Sequence, residues 1–270
     1  MNQFEVRVRE IKRSYGEYCP AWLNWVLGKA NSCLQDICFG GIHRCLNGMA
    51  DIKLSARFRT LPEEYEPSAF RVMEKILKPG HLVVDVGANL GLYSLAMARL
   101  VYPSGKVFSF EPASESFVAL LDHIRCNGLM DMIEPHMCVI GDQPGACIFT
   151  QDGVLGTNRI GGSSSQGKNA KAVSRMITTL DQFFARNGLL PDLMKIDVEG
   201  YETSVLKGAQ EILSRKRCPI LCELHPGYWK AMNLDAGDFI ERTKTLGYHI
   251  FELTGDLCQD FNNPKMVLLA

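Results

Sequence analysis

Apolar residues along the chain gather in short runs, and the stretches between the runs carry them at helical spacing instead. The runs are "HLVVDV" (81–86), "KVFSF" (106–110), "PHMCVI" (135–140), "DLMKI" (192–196), "PILCEL" (219–224), "YHIFEL" (248–253) and "KMVLL" (265–269). Between them, "GLYSLAMARLV", "SESFVALLDHIRCNG", "YETSVLKGAQEILSRK" and "DAGDFIERTKTLG" read as helices; in the third, Val205, Ala209 and Ile212 fall at i, i+4 and i+7. Strand alternating with helix predicts an α/β fold with a mostly parallel sheet and crossover helices. Only "TGDLCQDFNNP" joins the last two strands, with no room for a helix, so they are expected to pair antiparallel at the sheet edge. The expectation is seven strands, six parallel and the last reversed.

Two regions depart from this rhythm. Residues 151–171, "QDGVLGTNRIGGSSSQGKNAK", are dense in Gly, Ser and Asn and read as a mobile loop between the arms of a short hairpin, "ACIFT" and "VSRMITTL". Such a loop is either a lid over the substrate or a plain insertion. In residues 1–60, "PAWLNWVLGKANSCLQDI" has helical character and "DIKLSARF" alternates like an exposed strand. This part is expected to be an N-terminal extension that packs beside the site, with Trp22, Trp25, Leu27 and Phe39 holding it to a main domain at 61–270. "EPSAFRVMEKILKPG" predicts the helix that leads into the first strand, stopped by Pro79-Gly80.

Charge and cysteine content narrow the partners. The formal net charge is -1, so nothing global draws the protein to nucleic acid or to an anionic membrane. The ten cysteines are scattered without a C-x-x-C pair, which disfavours a structural zinc. Cysteines at strand positions, such as Cys138 and Cys222, are expected to be small buried hydrophobes in a reduced, cytoplasmic setting. No apolar run reaches the ~20 residues of a membrane helix, and the N-terminus lacks a signal-peptide core.

The chemistry centres on "VVDVGANLGLY". A dinucleotide fingerprint spaces its glycines G-x-G-x-x-G, but here Asn89 holds the place of the second glycine between Gly87 and Gly91. A pyrophosphate would meet a side chain there. Asp85 before the glycines suits an ammonium or sulfonium better than a phosphate, which points to S-adenosylmethionine. Glu111 follows the second strand, where a carboxylate accepts from both ribose hydroxyls, and Asp142 after "CVIG" is placed for the adenine edge. The fourth strand ends in "KIDVEGYE", with Lys195, Asp197, Glu199 and Glu202. The fifth ends in "CELHPG", with Glu223 and His225. Helix-dipole stabilisation accounts for Glu199 or Glu202 but poorly for Asp197 at the end of a buried strand.

These segments carry a resemblance. "YEPSAFRVMEKILKPGHLVVDVGANLGLYSLAMA", "FSFEP", "TTLDQFF", "LMKIDVEGYETSVLKGAQEIL" and "PILCELHP" together resemble the FkbM family of S-adenosylmethionine-dependent methyltransferases, from about Tyr65 to His225. The resemblance implies the three-layer, Rossmann-like class I methyltransferase fold and O-methylation of a sugar, glycolipid or hydroxylated natural product. It also implies that Asp85, Gly87, Asn89, Gly91 and Glu111 lie in the cofactor site, with Asp197 near the methyl group.

An acceptor hydroxyl needs a base during attack. His225 is the first expectation for that role, with Asp197 and Glu199 next. The sequence does not demand a metal. The competing readings are a nicotinamide-dependent oxidoreductase and an inactive module that only binds S-adenosylmethionine.

Overall fold

The computed structural model describes residues 29, 36, 40–153, 158–160, 170–185 and 188–270. It divides into two compact units, Met1–Tyr65 and Glu66–Ala270. In the first, β1 (Ile42–Leu46) and β2 (Met49–Leu54) form an antiparallel hairpin. Asn47 and Gly48 at its turn both have positive φ (49° and 82°), the conformation an Asn-Gly hairpin turn favours. β2 is the strand expected from "DIKLSARF", although Ile52 and Leu54 are buried rather than exposed. The helix expected near 20–37 and the residues Trp22, Trp25, Leu27 and Phe39 fall outside the described residues, apart from 29 and 36.

In the second unit the strands are β3 (Leu82–Val86), β4 (Lys106–Phe110), β5 (Ile133–His136), β6 (Val139–Ile140), β7 (Gly145–Gln151), β8 (Arg159–Ile160), β9 (Lys171–Thr178), β10 (Leu193–Ile196), β11 (Ile220–Leu224), β12 (Ile250–Glu252) and β13 (Lys265–Leu269). The helices are α1 (Pro67–Ile76), α2 (Leu92–Val101), α3 (Ser114–Cys126), α4 (Leu180–Ala185), α5 (Glu202–Lys207), α6 (Gln210–Arg215), α7 (Pro226–Trp229) and α8 (Ala236–Thr245). Seven strands form one sheet in the order β12-β13-β11-β10-β3-β4-β5. All pairs from β11 to β5 are parallel, and β13 runs antiparallel to both β11 and β12. The expected Rossmann-like α/β sheet with a reversed last strand is therefore present. The reversed strand lies one place in from the edge, and β12 is outermost. None of the described helices is long and apolar enough to cross a membrane.

Three elements differ from the sequence expectation. "PHMCVI" is not one strand. Its first half ends β5, where His136 accepts from the Glu111 amide, and Val139–Ile140 leave to pair with β9 in a second sheet of order β6-β9-β7-β8. The expected hairpin is the centre of that sheet, with β7 and β9 paired from Gly145↔Ile177 to Gln151↔Lys171. Within the segment read as a loop, Arg159–Ile160 pair with β7 as β8; 154–157 and 161–169 lie outside the described residues. The helix expected from "YETSVLKGAQEILSRK" is interrupted at Gly208, where an added Cβ would sit 1.9 Å from the Gly141 carbonyl oxygen. Val205, Ala209 and Ile212 are nonetheless all buried, packed with Val86, Phe110, Ile196 and Cys222 in the main core. The seven cysteines among the described residues are free; Cys222 is buried and Cys138 partly so.

Candidate active site

The carboxyl ends of β3, β4 and β10 meet at a cleft. Gly87, Asn89, Glu111, Asp197, Glu199 and Tyr201 line it, with an apolar wall of Phe110, Cys138, Val139, Ile140, Phe149 and Ile160. That wall comes largely from the second sheet, which contributes an aromatic ring and branched aliphatic side chains.

The glycine turn is shaped by close approach. Gly87 has φ 82°, and a Cβ there would fall 1.7 Å from the Asp197 carbonyl oxygen, so the tips of β3 and β10 touch. Gly91, at φ 83°, would meet Leu120 of α3 at 2.4 Å. Asn89 stands between them in the left-handed region (φ 47°), and its amide donates to Glu111 Oε2 at 2.7 Å. The Ala113 amide donates to Glu111 Oε1 at 2.7 Å. The Glu111 carboxylate is thus fixed by two backbone N–H groups while each oxygen keeps a lone pair for a further donor. Burial pushes its pKa up to about 7 despite those two bonds, helped by the charges of Asp197 and Asp85.

Asp85 lies beneath the turn. It is fully buried and is not among the described residues lining the cleft. Its Oδ2 accepts from Ser94 Oγ at 2.5 Å, and Lys195 Nζ stands 4.0 Å from Oδ1 and 2.9 Å from Asp197 Oδ2. The ammonium also sits 4.7 Å from the centre of the Tyr93 ring. Burial raises the Asp85 pKa, and Lys195 opposes it. Asp85 therefore holds Lys195, which in turn holds Asp197 at the cleft wall. Asp142 is exposed, follows β6 of the second sheet and is not among the described lining residues.

A second cluster sits at the ends of β10 and β11. Glu202, the first residue of α5, is wholly buried. Its Oε1 accepts from the Gly200 amide at 2.9 Å and from His225 Nδ1 at 2.8 Å, and its Oε2 accepts from Trp229 Nε1 at 2.6 Å. With Nδ1 tied, the imidazole turns Nε2 toward Glu199 Oε2 (3.6 Å), Glu223 Oε1 (3.7 Å) and Asp197 Oδ1 (3.9 Å). Burial pulls the His225 pKa down, but the hydrogen bond and charge of Glu202, then Glu199 and Asp197, outweigh it and push the pKa up to about 9. Burial raises Glu199 and brings Glu223 to about 7. Asp197 and Glu199 line the cleft; His225 and Glu223 are not among its described lining residues.

The sequence thus located Gly87, Asn89, Glu111, Asp197 and Glu199 on the cleft wall, and set Gly91, Asp85 and His225 close behind it. It missed Glu202 as the hub of the second cluster, the link through Lys195 and the apolar wall. Local spacing could not reveal Glu202, because its partner His225 lies 23 residues away.

The family model described as "Methyltransferase FkbM domain" matches residues 85–250. The chain is 29% identical over 161 residues to "Methyltransferase sdnD" of Sordaria araneosa, covering 48% of this chain and 60% of that one. It is 27% identical over 181 residues to "31-O-demethyl-FK506 methyltransferase FkbM" of Streptomyces tacrolimicus, covering 55% and 67%. Among solved structures, a methyltransferase FkbM from Methylobacillus flagellatus KT aligns with TM-score 0.47 at 15% identity, covering 74% of this chain and 50% of that chain.

Proposed function

Because the chain belongs to the FkbM family of methyltransferases, whose cofactor is S-adenosylmethionine, we propose that it methylates a hydroxyl of a small-molecule acceptor such as a sugar, glycolipid or hydroxylated natural product. The observation that carries this reading is the cleft itself. It joins Glu111 at one end, held ready for a ribose diol, to Asp197 and Glu199 at the other. Three carboxylates on one wall suit a ligand with an ammonium and a sulfonium and oppose a pyrophosphate. The name of the Streptomyces tacrolimicus relative, which refers to a 31-O-demethyl compound, supports oxygen as the accepting atom.

When bound, S-adenosylmethionine supplies an electrophilic methyl group on a positively charged sulfur. Glu111 would hold the ribose, and the apolar wall the adenine. The base belongs to Glu199. It lines the cleft, burial raises its proton affinity, and it hydrogen-bonds nothing among the described residues. Asp197 is committed to Lys195, and His225, first choice from the sequence, is held as an imidazolium behind the carboxylates. Glu199 takes the hydroxyl proton as the acceptor oxygen attacks, and orientation of the reactants in the cleft contributes much of the rate.

Calorimetry with S-adenosylhomocysteine and then NAD tests the reading. One equivalent of S-adenosylhomocysteine binds and NAD does not; binding of NAD alone would overturn it.

A further inference from the structure

The cluster behind the cleft has more acceptors than it uses. Glu199 and Glu223 accept no hydrogen bond among the described residues, and both are only partly exposed, at 32% and 26% of the side chain. His225 is nine-tenths buried, its Nδ1 is consumed by Glu202, and its Nε2 faces the carboxylates at 3.6–3.9 Å without reaching hydrogen-bond distance of any of them. A carboxylate on one ring nitrogen, fixing the other toward an open point, is how proteins orient a histidine that ligates a metal.

We propose that His225 Nε2, Asp197 Oδ1 and Glu223 Oε1 form a binding site for a divalent transition-metal ion, which displaces the Nε2 proton of the imidazolium to solvent as it binds. One ligand atom from each lies within 4.8 Å of the other two. Ligands about 2.0–2.2 Å from a tetrahedral ion stand about 3.4 Å apart, so closure of the two pairs with His225 moves atoms by only a few tenths of an ångström. The carboxylate pair repels itself without a cation, and its ligand atoms lie within 4.8 Å of each other. An imidazole among oxygens selects an ion of the manganese or zinc kind over calcium or magnesium. Glu202 is the orienting partner, held in turn by Trp229 and the Gly200 amide. Since Asp197 also lines the cleft, an ion held there would stand beside the cleft. The site stands on geometry alone; its use in holding the acceptor oxygen rests on the methyl-transfer reading.

The test uses the full chain, stripped with a chelator, titrated separately with MnCl2 and ZnCl2. Calorimetry follows both ions, and electron paramagnetic resonance counts free Mn²⁺. One ion per chain is expected, saturating below about 1 mM, the weak end of protein cation sites. Glu223→Gln, an isostere at a partly exposed position, weakens binding at least about tenfold, as does His225→Ala. Absence of saturable binding, or binding that Glu223→Gln leaves unchanged, overturns the site. S-adenosylhomocysteine is titrated in parallel without metal. Its binding by a chain that takes up no ion removes the metal and leaves the methyl-transfer reading standing, whereas loss of its binding counts against that reading alone.

Discussion

The two ends of the cleft are built from different material. At the Glu111 end the carboxylate is gripped by two amide groups from the backbone, Asn89 and Ala113. At the Glu199 end the positions are set by side chains: Glu202 orients His225, and Lys195 orients Asp197. Backbone donors cannot change rotamer, so the first end is preorganised whatever binds there. The second is a chain of side-chain contacts in which each member depends on the next, and it leaves the reacting group itself unbound. On the proposed reading, the first end holds a constant ligand and the second responds to what arrives.

The contrast can be broken from the responsive end first. Glu199→Gln removes the base and lowers kcat by about a hundredfold to ten-thousandfold, while S-adenosylhomocysteine affinity stays nearly unchanged in calorimetry. Equal loss of both would place Glu199 in cofactor binding instead. Glu202→Ala strips a buried acid from three donors and costs about 3–5 kcal/mol of unfolding free energy, read in urea titrations. A loss no larger than that of a surface substitution would mean the hub carries no strain of dependence.

At the preorganised end, Glu111→Gln keeps the shape but loses the charge, and weakens S-adenosylhomocysteine by about 1.5–3 kcal/mol. The smallest effect is on pH. The Glu111 pKa is raised to about 7 in the free protein, so its charged form prevails above that value and is lost as pH falls through it. S-adenosylhomocysteine affinity should therefore be greatest above pH 7 and fall below it by up to about tenfold per unit, with Glu111→Gln flattening this part of the profile.

What the sequence made legible follows from where each signal resides. Strands buried on both faces read as unbroken apolar runs, and a short final connector forces an antiparallel pair; both are local facts. For the same reason a run such as "LVVDV" does not tell which face Asp85 takes, and the structure turns it beneath the glycine turn rather than into the cleft. "PHMCVI" gave no sign of changing sheets at Met137, because each half is apolar enough for a strand. β8 has two residues and no periodicity to find. Glu202 looked like a helix-dipole acid because its first-turn position is a sufficient local reason; burial by Trp229 and His225 is a tertiary fact that no spacing encodes.

The placement of β13 bears on how the protein is assembled. Among the described residues β12 joins the sheet only through β13, which also covers the outer side of β11. During synthesis β12 emerges first yet has nothing to pair with until residues 265–269 arrive and slide between it and β11. The strand that carries Glu223, and the turn that carries His225, keep an open flank until residues 265–269 are made.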